Sequence, residues 1–118
     1  MAAVVFLSSD LMFSSRLLGA AKTLGVEVQM VAAPAGLAQK LAADCRLVLV
    51  DLALDKLDLP TVITAVRSAA PAAQVIAYGA HVDEAALGKA EQAGCDQVLS
   101  RGQFHKQYAE LLRGVAAR

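Results

Sequence analysis

The sequence predicts a single α/β domain, residues 1–118, built on a doubly wound, five-stranded parallel sheet with five helices. Three observations carry that expectation. Five short strand-like runs alternate with five helical patterns; three of the runs are continuously apolar and two are mixed; and every connection between them is short. A continuously apolar run is the mark of a strand covered on both faces, as in a parallel sheet sandwiched by helices. Regular alternation of strand and helix is the mark of βαβ units. The chain is long enough for one sizeable core, and 57% of it is apolar, which excludes a disordered polymer.

The first strand is Val4–Leu7, an apolar run with no basic segment before it, and so not a signal peptide. The first helix places Phe13, Leu17, Ala20 and Leu24 on one face, and Gly25 stops it. The second strand, residues 26–31, alternates: Glu27 and Gln29 separate Val26, Val28 and Met30, which suits a half-covered edge. Pro34 opens a short second helix that buries Leu37 and Leu41, and Gly36 makes it the weakest of the five. The third strand, residues 47–50, is wholly apolar. Pro60 sits in the first turn of the third helix, where a missing N–H is harmless, and Pro71 lies just beyond its end. The fourth strand covers residues 75–78; Asp83 caps the fourth helix and Gly94 terminates it. The fifth strand, Gln97–Ser100, is again more polar. Phe104, Tyr108, Leu111, Leu112 and Val115 line one face of the last helix. Two mixed strands at the edges and three apolar ones inside give the order 2-1-3-4-5 of flavodoxin-like sheets. Right-handed crossovers then put helices on both faces.

Charge and cysteine usage narrow the function classes. Eleven basic and eleven acidic residues balance to zero, so the basic excess of a nucleic-acid binder is missing. No apolar run is long enough to cross a bilayer. Aromatic residues are 4% of the chain, with no Trp, which leaves few stacking platforms. Cys45 and Cys95 precede the third and fifth strands, which flank the fourth and so lie roughly 10 Å apart, beyond disulfide reach. They read as small buried hydrophobes of a protein in a reducing cytoplasm.

In open parallel sheets the functional crevice lies at the carboxyl ends of the strands, where strand order reverses. For this order that is between strands one and three. Ser8, Ser9 and Asp10 follow strand one, and Asp51 follows strand three. Tyr78, Gly79, Ala80 and His81 follow strand four; Ser100 and Arg101 follow strand five. No other part of the sequence gathers polar groups in this way. Within this set His81 reads as a solvated loop residue and Tyr78 as packing at the end of a buried strand. The serines Ser8, Ser9, Ser14 and Ser15 lack the glycines of a phosphate cradle for a flavin, and Asp10 would repel an anion.

Three segments now carry a resemblance. LVLVD at 47–51, QVIAYGAH at 74–81 and GCDQVLSR at 94–101 resemble, in order and spacing, a response-regulator receiver domain, and the similarity spans essentially the whole chain. The resemblance implies a phosphoryl-accepting aspartate at Asp51, an acidic pair after strand one that holds magnesium, a Ser or Thr ending strand four, and a Lys, usually followed by Pro, ending strand five. Here Ser8 and Ser9 stand in place of the acidic pair, with Asp10 one residue on; Gly79 replaces the hydroxyl, Arg101 the lysine and Gly102 the proline. Magnesium wants hard oxygen ligands, and phosphoryl transfer relies on that metal and a cation to neutralise developing charge. Asp51 with at most Asp10 offers too little negative charge, while Arg101 is expected to neutralise Asp51 bidentately.

The expectation is therefore a pseudo-receiver: a cytoplasmic signalling or scaffold domain that acts by protein–protein contact, with no cofactor, no bound metal and no enzymatic activity. Its partners would be proteins, a histidine kinase or an output protein among them, or a second copy of the chain, and not nucleic acid or membrane. An active phosphoacceptor at Asp51, or a small-ligand binder using the same crevice, are the alternatives. Receivers commonly meet partners through the fourth helix, fifth strand and fifth helix, which implies residues 83–115 here. Within that stretch Tyr108 and Lys106 are the expected contact residues, with His105 and Lys106 on a solvated helix face.

Overall fold

The computed structural model describes residues 2–117. Its elements run β1 (Val4–Leu7), α1 (Leu11–Leu24), β2 (Val28–Val31), a 3-10 turn (Pro34–Gly36) leading into α2 (Leu37–Lys40), β3 (Leu47–Asp51), α3 (Leu59–Ala69), β4 (Gln74–Gly79), α4 (Glu84–Ala93), β5 (Gln97–Ser100) and α5 (Arg101–Ala116). The five strands form one parallel sheet in the order β2-β1-β3-β4-β5, the flavodoxin-like arrangement.

Strand alternation divides the core into two layers. Val4, Phe6, Leu47, Leu49, Ile76 and Tyr78 face α1 and α5, where they meet Phe13, Leu17, Phe104, Leu112 and Val115. On the other face Val5, Leu7, Val48, Val50, Val75 and Ala77 meet Leu37 from α2, Val62 and Val66 from α3 and Ala90 from α4. The β1 and β3 side chains are all buried, and β4 from Val75 onward, whereas β2 and β5 are half-open. The continuous and mixed apolar runs thus mark central and edge strands respectively.

Helix boundaries follow local chemistry. Asp10, Asp58 and Asp83 accept hydrogen bonds from the backbone N–H three residues on, capping α1, α3 and α4. Ser100 and Gln103 form a reciprocal capping box on α5. Gly25 and Gly94 take left-handed backbone conformations, with φ of 71° and 96°, and close α1 and α4. After each, the following N–H reaches back five residues, Val26 to Ala21 and Cys95 to Ala90, which completes a Schellman turn. That turn shifts one expected boundary. Val26 is spent closing α1 and is buried there, so β2 begins at Val28 rather than at Val26. At the far end of the sheet, Arg67 of α3 donates to the Ala73 and Gly94 carbonyls and to Asp96, whose carboxylate also accepts the Val75 N–H at 2.7 Å. Cys45 is buried and Cys95 half-buried, and both are free thiols.

Candidate functional site

At the carboxyl end of the sheet the structure brings Ser8, Asp51 and Tyr78 together. Asp51 pairs with Tyr78 in the β3–β4 register, so their side chains leave the same face, and Ser8 continues the side of β1 that carries Phe6. All three are nearly closed to solvent, at 2% exposed for Ser8, 6% for Asp51 and 2% for Tyr78. The Ser8 hydroxyl donates to one Asp51 oxygen at 2.8 Å, and the Ala53 N–H donates to the other at 2.9 Å. Both carboxylate oxygens therefore have a donor from the chain itself. The Ser8 oxygen in turn accepts the Asp10 N–H at 3.1 Å.

Tyr78 is the third buried member of this group. Burial pushes its ionisation well above the ordinary tyrosine value, and the Asp51 and Asp10 charges add to that, while Ser8 and Arg101 act the other way. Tyr78 therefore keeps its proton. Its ring stacks parallel on Phe104 of α5, with centroids 4.0 Å apart and planes 6° apart, and touches Phe6 at 6.3 Å.

Other expected site residues are placed differently. Gly79 faces away from Asp51: a Cβ there would meet Leu52 at 3.3 Å and Leu87 at 3.7 Å, on the opposite face. The β4 residue that shares the face of Asp51 is Tyr78. Arg101 is the first residue of α5, half-buried, and forms no ion pair with Asp51 among the described residues. The Asp51 oxygens are instead filled from Ser8 and Ala53, which are closer along β1 and the strand end. Asp10 is exposed and turned to α1, where its carboxylate caps the Phe13 N–H at 3.1 Å. Ser9 and Ser15 are exposed, and Ser14 returns its hydroxyl to the Asp10 carbonyl at 2.6 Å, so the serines form no cradle. His81 is exposed in the β4–α4 connection.

Lys106 is exposed as expected, but Tyr108 looks toward α1. It is half-buried, edge-on to Phe13 at 5.0 Å and 80°, and it helps hold α1 to α5. His105, also exposed, stacks on the same Phe13 ring at 4.3 Å.

The donor set can be weighed against magnesium directly. A hard cation of that size is held by carboxylates and other oxygens in near-octahedral array. Here one buried carboxylate is already bonded on both oxygens, and the nearest second carboxylate is committed to a helix cap. Among the described residues no three His, Cys, Asp or Glu side chains converge. The residues present do not fit the ion. Sequence reasoning found Asp51 and Ser8 but missed their direct bond and the role of Tyr78. The shared face of Asp51 and Tyr78 is set by the β3–β4 register, which alternation within either run leaves open.

No family model matches the chain, and no curated protein matches it in sequence. Solved structures do match. The receiver domain of the sensor histidine kinase PA1611 from Pseudomonas aeruginosa, solved with a magnesium ion coordinated in its active-site cleft, superposes with a TM-score of 0.74 at 18% identity, over 98% of this chain and 97% of that one. A two-component response regulator from Clostridium difficile gives 0.76 at 13% identity, over 100% and 98%. A response regulator from Burkholderia pseudomallei, with a phosphorylated aspartic acid and a calcium ion, gives 0.73 at 17% identity, over 97% and 68%. Strand order, helix placement and near-complete superposition agree: this chain has the fold of response-regulator receiver domains.

Proposed function

We propose that this chain is a pseudo-receiver, a signalling or scaffold domain that acts through protein–protein contact and not through magnesium-dependent phosphotransfer. The observation that carries the reading is the closed state of Asp51: both oxygens are bonded within the chain, by Ser8 and by the Ala53 N–H, in a site with a single inward carboxylate. One accepted hydrogen bond per oxygen leaves each a further lone pair, but a transferring phosphoryl group also needs a metal and a cation against its developing charge. The reading is supported by Asp10, the second carboxylate, capping α1, and by Arg101 forming no ion pair with Asp51 among the described residues. A domain of this fold without such chemistry retains its surface. Around the crevice that surface is unusually apolar: Leu11 and Met12 at the start of α1 are 82% and 83% exposed, and Val82 of the β4–α4 connection is 77% exposed. Contiguous exposed apolar surface marks contact sites for other proteins, and these three side chains are its candidates here. The partner classes that fit are a kinase, an output protein or a second copy of the chain.

Incubation with acetyl phosphate and magnesium, read by intact mass, tests the reading. The expected result is an unmodified chain. A phosphate adduct mapped to Asp51 and absent from Asp51→Asn would replace this function with that of an active phosphoacceptor, the role that its position at the end of β3 would then serve.

A further inference from the structure

Resting on the reading that Asp51 exchanges no phosphoryl group, we infer that Tyr78 is a built-in plug of the Asp51 crevice, and that its stack on Phe104 ties the closed crevice to α5. The sheet register puts Tyr78 directly beside Asp51 on the same face. A short side chain there would leave the mouth between β1 and β3 open, where parallel sheets of this order have their crevice. Tyr78 on β4 and Ser8 after β1 instead flank the end of β3, and both residues are 2% exposed.

The ring has no free direction in which to swing. Phe104 covers it in parallel at 4.0 Å, Phe6 meets it at 6.3 Å with a 35° tilt, and Phe104 and Phe6 are themselves 0% exposed. Phe104 lies in the first turn of α5, which Ser100 and Gln103 cap from both sides. For the phenol to leave, that turn must move, because interiors packed at this density offer no spare volume. A groove lined by Leu52, Ala53, Leu57, Ala86 and Lys89 comes up to Ala53, whose N–H bonds Asp51, but Asp51 does not line it. Asp51 thus stands at the rim of the sheet yet is only 6% exposed.

Carboxyl amidation measures the plug. A water-soluble carbodiimide activates a carboxyl group as its O-acylurea, glycinamide displaces the urea, and peptide mass mapping follows the amide at each site. In the intact chain Asp51 is expected to react about tenfold or more slowly than exposed Asp55, since reaction requires local opening. Tyr78→Thr, with folding verified by circular dichroism, is expected to raise the Asp51 rate toward that of Asp55. Tyr78→Phe, which keeps the ring, leaves it slow. If Tyr78→Thr does not fold, Tyr78→Leu keeps an apolar body on the sheet without the ring, with the same expected rise. Asp51 reacting as fast as Asp55 in the intact chain, or an unchanged rate in a folded Thr or Leu variant, overturns the plug. An acetyl phosphate adduct on the intact chain overturns the functional reading instead, so the two failures are distinguishable.

Discussion

A buried carboxylate is tolerated only when donors meet it, and Ser8 is the side chain that does so for Asp51. Removing that hydroxyl strands a charge with only the Ala53 N–H left in place. Ser8→Ala is therefore expected to lower unfolding stability by about 1–3 kcal/mol, measured by urea denaturation. A change below the error of that measurement would mean that water or Tyr78 replaces the donor. At this scale the sequence was partly legible. Asp51 and Ser8 could be named from their places after apolar strands, but the partner of each could not. Arg101 looks like the natural counter-ion for Asp51 because charge is visible in a sequence, whereas a serine hydroxyl bond across 43 positions is not. Gly79 and Tyr78 differ by a single step along β4, and one step reverses the face of a strand.

Elements were more legible than site partners, because their signals are local. Proline in a first turn, aspartate before an apolar helix, and glycine after one each act within a few residues. The Arg67–Asp96 clamp has no such signal. It joins α3 to the start of β5 over 29 positions, and only the packed layers bring the two together. Desolvation pushes the Asp96 carboxyl up, but the Val75 N–H and the Arg67 guanidinium override it, so its ionisation lies below the ordinary carboxylate value of 3.8. The folded state thus prefers the charged form. Its contribution is fully present above the ordinary value and is lost as pH falls through the lower folded value. Asp96→Ala is expected to lower stability by about 1–2 kcal/mol near neutral pH, chiefly through the lost Val75 hydrogen bond. Because the pair is partly exposed, its Coulomb share is small. Thermal melts of the two proteins should converge as pH drops below the carboxylate range; a gap that stays constant would show that the ionised form contributes nothing.

For the molecule as a whole, the layered sheet makes the two thiols report different events. Burial is the main reason both are pushed above the ordinary thiol value, with Asp44 adding to it at Cys45 and Asp96 at Cys95. Cys45 is 1% exposed in the α2–α3 layer, while Cys95 sits half-open before the β5 edge. Aromatic disulfide reagent near pH 8 is expected to modify Cys95 slowly and Cys45 only at the rate of global opening, so that Cys45 modification tracks denaturant stability. Equal rates for both thiols in native buffer would contradict this layering.

The same contrast separates what was readable from residues alone. Apolar periodicity and turn residues determined five strands, five helices, the edge positions of β2 and β5, and hence the order 2-1-3-4-5, since burial on one or two faces leaves its pattern in every strand. The neighbours around Asp51 were decided only by tertiary structure. Register, helix docking and ring stacking brought Ser8, Tyr78 and Phe104 to one place. These are contacts between residues far apart in the chain, and a one-residue shift in any strand would have assembled a different site.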